Sequence, residues 1–208
     1  MKPFIRETGI AAPLEGRNID TDQIIPGRFL KQDRSLGYER LLFHDLRFDE
    51  QDQERETFVL NQDRFRHTQI LVTDVNFGCG SSREGAVYAL SDYGIRSVIA
   101  PSFGDIFYSN CLKNGIVPVR LDEDICDTIR ETLVTGDDTT ITVDLELQRV
   151  ELADGSTHAF SIDSFWRECL MKGVDDLELT LSHMDDVERF EQRYYASYPW
   201  TRLESLAR

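Results

Sequence analysis

Apolar positions along the chain change period several times, and each change marks an element. Ile70-Leu71-Val72-Thr73 is a continuous β-branched and aliphatic run, which predicts a buried strand over Gln69–Thr73. A helical pattern over Ser82–Tyr93 follows and stops at Gly94, and Ser97–Ala100 reads as a second strand. Phe103–Lys113 reads as a helix stopped by Asn114-Gly115, and Ile116–Val119 as a third strand. Strand–helix–strand–helix–strand alternation predicts an α/β fold with a parallel core. Beyond a helix at Asp124–Leu133 the period falls to two, predicting additional strands at Thr139–Leu145 and Gln148–Leu152, with an Asp154-Gly155 turn leading to Thr157–Phe160. Helices at Asp163–Met171 and Met184–Tyr195 finish the chain. Two stretches carry little pattern. Residues 10–28 read as a polar loop around Ile24-Ile25, and residues 31–56 as charged surface loop with one short helix near Tyr38 to Phe43.

The length of 208 residues predicts one domain, with a core over about 1–172 and a helical C-terminal extension over about 173–208. No apolar run approaches the length of a membrane span, and Met1-Lys2-Pro3-Phe4-Ile5-Arg6-Glu7 lacks the apolar stretch of a secretory signal. A cytoplasmic protein is expected. Its 38 acidic residues outnumber 23 basic ones for a net charge of −15, and no basic cluster breaks the excess. That balance argues against nucleic-acid and membrane-surface partners. An anionic ligand would have to be met by a few local cations.

One such cation stands just past the end of the first predicted strand. Asn76-Phe77-Gly78-Cys79-Gly80-Ser81-Ser82-Arg83-Glu84 joins strand to helix, with two glycines for a tight turn. Free N–H groups at a helix start favour an anion, and an arginine there adds a bidentate clamp. The spacing fits neither a phosphate-binding P-loop, nor a dinucleotide fingerprint, nor a serine-hydrolase elbow. Ser81 capping the helix with Glu84 is the simpler reading, but a cap requires neither paired glycines nor the arginine. A second stretch, Asn18-Ile19-Asp20-Thr21-Asp22, offers two carboxylates for either a metal or an Asx turn. A third, Pro101-Ser102-Phe103-Gly104-Asp105, again ends a strand and opens a helix, so that Ser102 and Asp105 are either caps or neighbours of Ser81. Cys79, Cys111, Cys126 and Cys169 show no metal-ligand spacing, and no metal is assigned to this chain. Cys79 stands beside the turn, where its thiol is either reactive or packing.

Together the stretches 9–31, 76–84 and 92–119 resemble the aconitase family, and within it the small subunits of 3-isopropylmalate dehydratases. The resemblance covers most of the first 120 residues, and the C-terminal third carries no diagnostic motif. It implies a swivelling-domain α/β fold that closes over a site shared with a large subunit, as a heterodimer or heterotetramer. The large subunit would carry a [4Fe–4S] cluster whose open iron acts as Lewis acid. The implied reaction is a hydro-lyase isomerisation of 2-isopropylmalate and 3-isopropylmalate through the alkene, in leucine biosynthesis. Related dehydratases act on citraconate or homoaconitate, and a non-catalytic anion-binding module is a further possibility.

Carried onto this chain, the resemblance makes Ser81 the general base and Ser82, Arg83 and Asp22 binders of a small dicarboxylate. Phe29 or Leu30 would pack an alkyl group, and Lys31 or Arg34, with Arg28, a carboxylate. The family carries histidine directly after the SSRE run, where this chain has Gly85. The resemblance implies that a histidine there could support the site by hydrogen bonding, a contact that Gly85 does not offer.

Overall fold

The structure, a computed structural model, describes residues 1–202, and the expected extension beyond Arg202 lies outside them. Strand β1 (Arg6–Pro13) is followed by two single-turn helices, α1 (Thr21–Ile24) and α2 (His44–Arg47), within a long irregular segment. Alternation then sets in: β2 (Ile70–Val72), α3 (Glu84–Tyr93), β3 (Ser97–Ala100), α4 (Asp105–Lys113), β4 (Val117–Arg120) and α5 (Glu123–Thr135). A meander of β5 (Thr140–Asp144), β6 (Arg149–Leu152) and β7 (Thr157–Ala159) precedes α6 (Ser164–Lys172), α7 (Asp176–Leu181) and α8 (Met184–Ser197).

Seven strands form one sheet in the order β4-β3-β2-β1-β5-β6-β7. The half from β4 to β1 is parallel, and the half from β5 to β7 is antiparallel. Strand β1 joins the halves. Its first five residues pair antiparallel with β5, and Ala11–Pro13 pair parallel with β2. Reading residues 10–28 as loop therefore missed the end of the central strand. Arg6, Glu7 and Gly9 dilute its apolar content because one edge of that segment is partly solvated, while Ala11, Ala12 and Pro13 are buried. Two further elements depart from expectation. The helix near Tyr38 to Phe43 is a series of turns ending at Phe43, which is left-handed (φ 50°), and α2 begins only after it. The short α7 stands where no element was predicted.

Alternate side chains of the parallel strands feed two cores. Leu71, Val98 and Ala12 pack with Leu90, Phe107 and Leu42 on one face. Ile70, Val72 and Ile99 pack with Ile129, Leu133 and Phe4 on the other. Strand ends thus sit on a frame held from both sides. By contrast α8 buries no residue, and Phe190, Tyr198 and Trp200 are exposed.

Candidate active site

Three loops meet at the carboxyl edge of the parallel half, the side on which open α/β sheets place ligands. Main-chain bonds stitch them together. Asn18 N–H donates to Val75 O (3.0 Å), Gly78 N–H to Ile19 O (2.8 Å) and Thr21 N–H to Cys79 O (2.9 Å). From the other side Phe77 N–H donates to Ser102 O (3.1 Å) and Gly104 N–H to Phe77 O (2.9 Å). The sequence motifs 18–22, 76–84 and 101–105 are therefore one structure.

Glycine is required at two of these contacts. Gly78 is left-handed (φ +71°), and a Cβ there would enter the Phe107 ring. A Cβ on Gly104 would lie 2.5 Å from Gly78 O. The backbones touch because Gly104 has no side chain, and the bare Gly78 leaves room for the Phe107 ring. Sequence reading passed over Gly104, whose partner lies in another loop.

Ser81 sits at the rim of a shallow cavity of about 230 Å3, lined with it by Gly78, Gly80, Gly104, Asp105, Ile106 and Phe107. Thr21 Oγ1–H donates to the main-chain oxygen of Ser81 (3.0 Å), which fixes the backbone without engaging the hydroxyl. Helix α3 begins at Glu84 with Arg83 as its N-cap, two residues later than predicted, so Ser81 lies outside the cap. Helix α4 has Gly104 as N-cap and likewise no side-chain cap. Its first internal bond is Tyr108 N–H to Gly104 O (2.9 Å), so the N–H groups of Asp105, Ile106 and Phe107 precede the ladder beside the cavity.

Arg83 donates to Asp22, and the hydrogen bond from that guanidinium, with its charge, holds the Asp22 carboxyl below its ordinary range. Asp20 has a different task. It caps α1 by accepting from Gln23 N–H (2.8 Å), and Gln23 Oε1 accepts from Asp20 N–H in return (2.9 Å). The two aspartates therefore do not converge. Ser102 Oγ accepts from Asn76 N–H (2.8 Å) and belongs to the stitching, whereas Asp105 lines the cavity.

The segment after α1 divides its side chains. Gly27 lies against the Asp22–Arg83 pair, and Leu30 against Gly85. Arg28 is tied to Asp45, and Phe29 packs on His44 at 4.8 Å between ring centroids. Arg34 stacks on Tyr88 (3.6 Å) and approaches Asp92 (3.5 Å). Lys31 and Ser82 are exposed. The structure thus brings Ser81, Arg83 and Asp22 together with Leu30 nearby, and turns Phe29, Arg28 and Arg34 to other partners.

Cys79 Sγ–H donates to Asn18 O (3.4 Å), and partial burial with Asp20 nearby pushes its thiol up, which suits packing better than reactivity. Cys111 in α4, Cys126 in α5 and Cys169 in α6 are buried on separate elements. Burial raises Cys111 far above the usual thiol range and Cys126 to about 12. These four thiols do not fit an iron–sulfur ligand set. Among the described residues no three His, Cys, Asp or Glu side chains are grouped to hold a metal ion. No described helix is long and apolar enough to cross a membrane.

Residues 1–124 match the family described as the aconitase C-terminal domain. Residues 179–202 match the C-terminal domain of the 3-isopropylmalate dehydratase small subunit. A 3-isopropylmalate dehydratase small subunit from Dinoroseobacter shibae is 48% identical over 96% of this chain and 100% of its own length. The chain belongs to the family of 3-isopropylmalate dehydratase small subunits. The small subunit from Rhodospirillum rubrum is 49% identical over 96% of this chain and 97% of its own. A crystal structure of 3-isopropylmalate dehydratase from Methanocaldococcus jannaschii superposes with a TM-score of 0.64 at 26% identity, over 89% of this chain and 99% of that one. The α/β fold with its seven-stranded sheet is therefore of the aconitase C-terminal type found in these small subunits. C-terminal residues without a recognisable motif are also part of that family, since 179–202 span the end of α7, all of α8 and the turn beyond.

Proposed function

We propose that this chain is the small subunit of a cytoplasmic hydro-lyase that interconverts 2-isopropylmalate and 3-isopropylmalate through isopropylmaleate, a step of leucine biosynthesis. The observation that carries the reading is the joining of three loops into one edge, where Ser81 stands between an uncapped helix start and the Arg83–Asp22 pair. The cavity is small and open, on the scale of half a ligand site rather than a whole one. A large subunit supplies the other half and carries the [4Fe–4S] cluster, for which this chain has no ligand set. The chain acts as one swivel-type domain, with a core over about 1–172 and a helical extension after it.

Its own residues have defined tasks. Ser81 Oγ, as alkoxide, removes the proton from the carbon beside a substrate carboxylate. A serine hydroxyl is a very weak acid, so its anion must be stabilised in place. One well-aimed N–H donor contributes about 3–4 kcal/mol to such an oxyanion, and the first turn of α4 offers three around the cavity. Arg83 takes the carboxylate in a two-point grip, and Ser82 donates a hydroxyl beside it. Asp22 holds the guanidinium in orientation before substrate arrives. Leu30 supplies apolar contact and Lys31 positive charge nearby, while Phe29 and Arg34 are held on His44 and Tyr88.

Reconstitution with the large subunit tests the assignment. Hydration of isopropylmaleate, followed by loss of alkene absorbance, is expected to be faster than hydration of citraconate at equal concentration. The opposite order would transfer the chain to a dehydratase for the methyl-substituted acid.

A further inference from the structure

The geometry points to Gly85 as a specificity-determining residue: its missing side chain seats Leu30 on the first turn of α3, fixing an apolar contact beside the Arg83 clamp. The inference rests on the proposed reaction and adds the residue that shapes its alkyl site.

Backbone conformation gives no reason for glycine at this position. Gly85 lies inside α3, in ordinary helical geometry that any residue adopts. A glycine there costs about 0.5–1 kcal/mol relative to alanine. Space gives the reason. A Cβ on Gly85 would lie 3.1 Å from Leu30 Cδ2, with Tyr38 Cε2 at 3.7 Å and Ile25 Cδ1 at 3.9 Å. Leu30 occupies the volume that a side chain at 85 would need. Ile25 and Tyr38 are buried beneath it, while Leu30 itself stays 40% exposed and keeps an apolar face outward.

The same short turn reaches the ionic clamp. Leu30 N–H closes it on Gly27 O (3.3 Å), and a Cβ on Gly27 would lie 3.2 Å from Asp22 Oδ1 and 3.5 Å from Arg83 Nη1. One end of the turn therefore sits on the carboxylate binder and the other on Gly85. Phe29 is committed to His44 and Arg34 to Tyr88, so Leu30 is the apolar side chain of this segment that rests on α3. A guanidinium and an aliphatic group held on one helical turn suit a dicarboxylate bearing a short branched alkyl group. A side chain at 85 would lift Leu30 and change the room for that branch.

The test is a double-mutant cycle in the assembled two-subunit enzyme, read as the ratio of kcat/KM for isopropyl-substituted over methyl-substituted maleate. An apolar contact worth one methylene corresponds to about 10-fold or more in such a ratio. Gly85→Ala is expected to change the ratio by about 10-fold, chiefly through KM for the isopropyl substrate. Leu30→Ala is expected to do the same, and the double variant to match Leu30→Ala alone. The far end of Leu30 yields easily, so Gly85→Ala should fold, and a Tm no lower than that of the wild type checks it. The inference is overturned if Gly85→Ala slows both substrates equally, or if the two substitutions multiply independently. A wild type that prefers the methyl substrate would contradict the proposed reaction, yet the cycle would still show whether Gly85 acts through Leu30.

Discussion

Two hollows on this molecule differ in size and in what they can do. The larger, about 540 Å3, is lined by Arg28, Phe29, His44, Asp45, Phe48, Asp49, Glu50, Asp52 and Arg55. The smaller, at Ser81, is about 230 Å3. In the larger, four carboxylates face two arginines. Arg28 is paired with Asp45, and Arg55 Nε–H donates to Phe48 O (2.8 Å). A dicarboxylate entering there would meet net negative charge. The smaller hollow has a helix start and Ser81 in its lining with Asp105 as its carboxylate, and the loop that carries Ser81 leads directly into the Arg83–Asp22 pair. Chemistry, not volume, favours the smaller hollow as the proposed site.

Substitutions on the two sides sharpen that contrast. The largest effect is expected at the clamp: Arg83→Lys loses the planar fork, and kcat/KM of the assembled enzyme should fall about 10²-fold. His44→Ala, in the larger hollow, should leave it within about threefold. Equal losses would erase the distinction. Next comes the stitching. Gly78→Ala meets both a left-handed backbone and the Phe107 ring, and should destabilise the chain by about 2–4 kcal/mol in thermal or denaturant unfolding. Gly155→Ala, left-handed (φ +85°) with nothing within 4 Å, should cost about 1 kcal/mol. The smallest effect concerns pH. Arg28, then His44, holds the Asp45 carboxyl down at about 2 from its ordinary 3.8. A lowered carboxylate contributes its full share above the higher value and loses it as pH falls through the lower one. The contribution of the Arg28–Asp45 tie to stability should therefore be complete at pH 5 and fall between about 3.8 and 2, with the carboxyl carbon shift of folded Asp45 titrating about a midpoint near 2.

How much of this could be read from the chain differs by region. The β2-α3-β3-α4-β4 unit was legible because its strands are buried on both faces and so read as unbroken apolar runs. Gly94 and Asn114-Gly115 also stop its helices visibly. Strand β1 was not, because it changes partner midway and its first half carries Arg6, Glu7 and Gly9 against β5. The segment 31–56 has its short helix later than expected, at α2, for a related reason. Its order comes from distant ties, such as Tyr38 N–H to Asp92 (3.0 Å), rather than from periodicity. At the site, Ser81 and Arg83 stood out by residue type, and Asp22 through the family resemblance. The role of Gly104 did not, since its contact with Gly78 exists only once two loops have met. Gly85 looked like a loss in the sequence, and in the structure it is the floor under Leu30.

The most direct measurement follows the proton. The assembled enzyme with Ser81→Ala would be incubated with 3-isopropylmalate in deuterated water, with association of the two subunits checked by sedimentation. If Ser81 is the base, the complex forms as in the wild type, but deuterium enters the carbon beside the carboxylate at least 10²-fold more slowly. Incorporation at the wild-type rate by an intact complex would contradict the account.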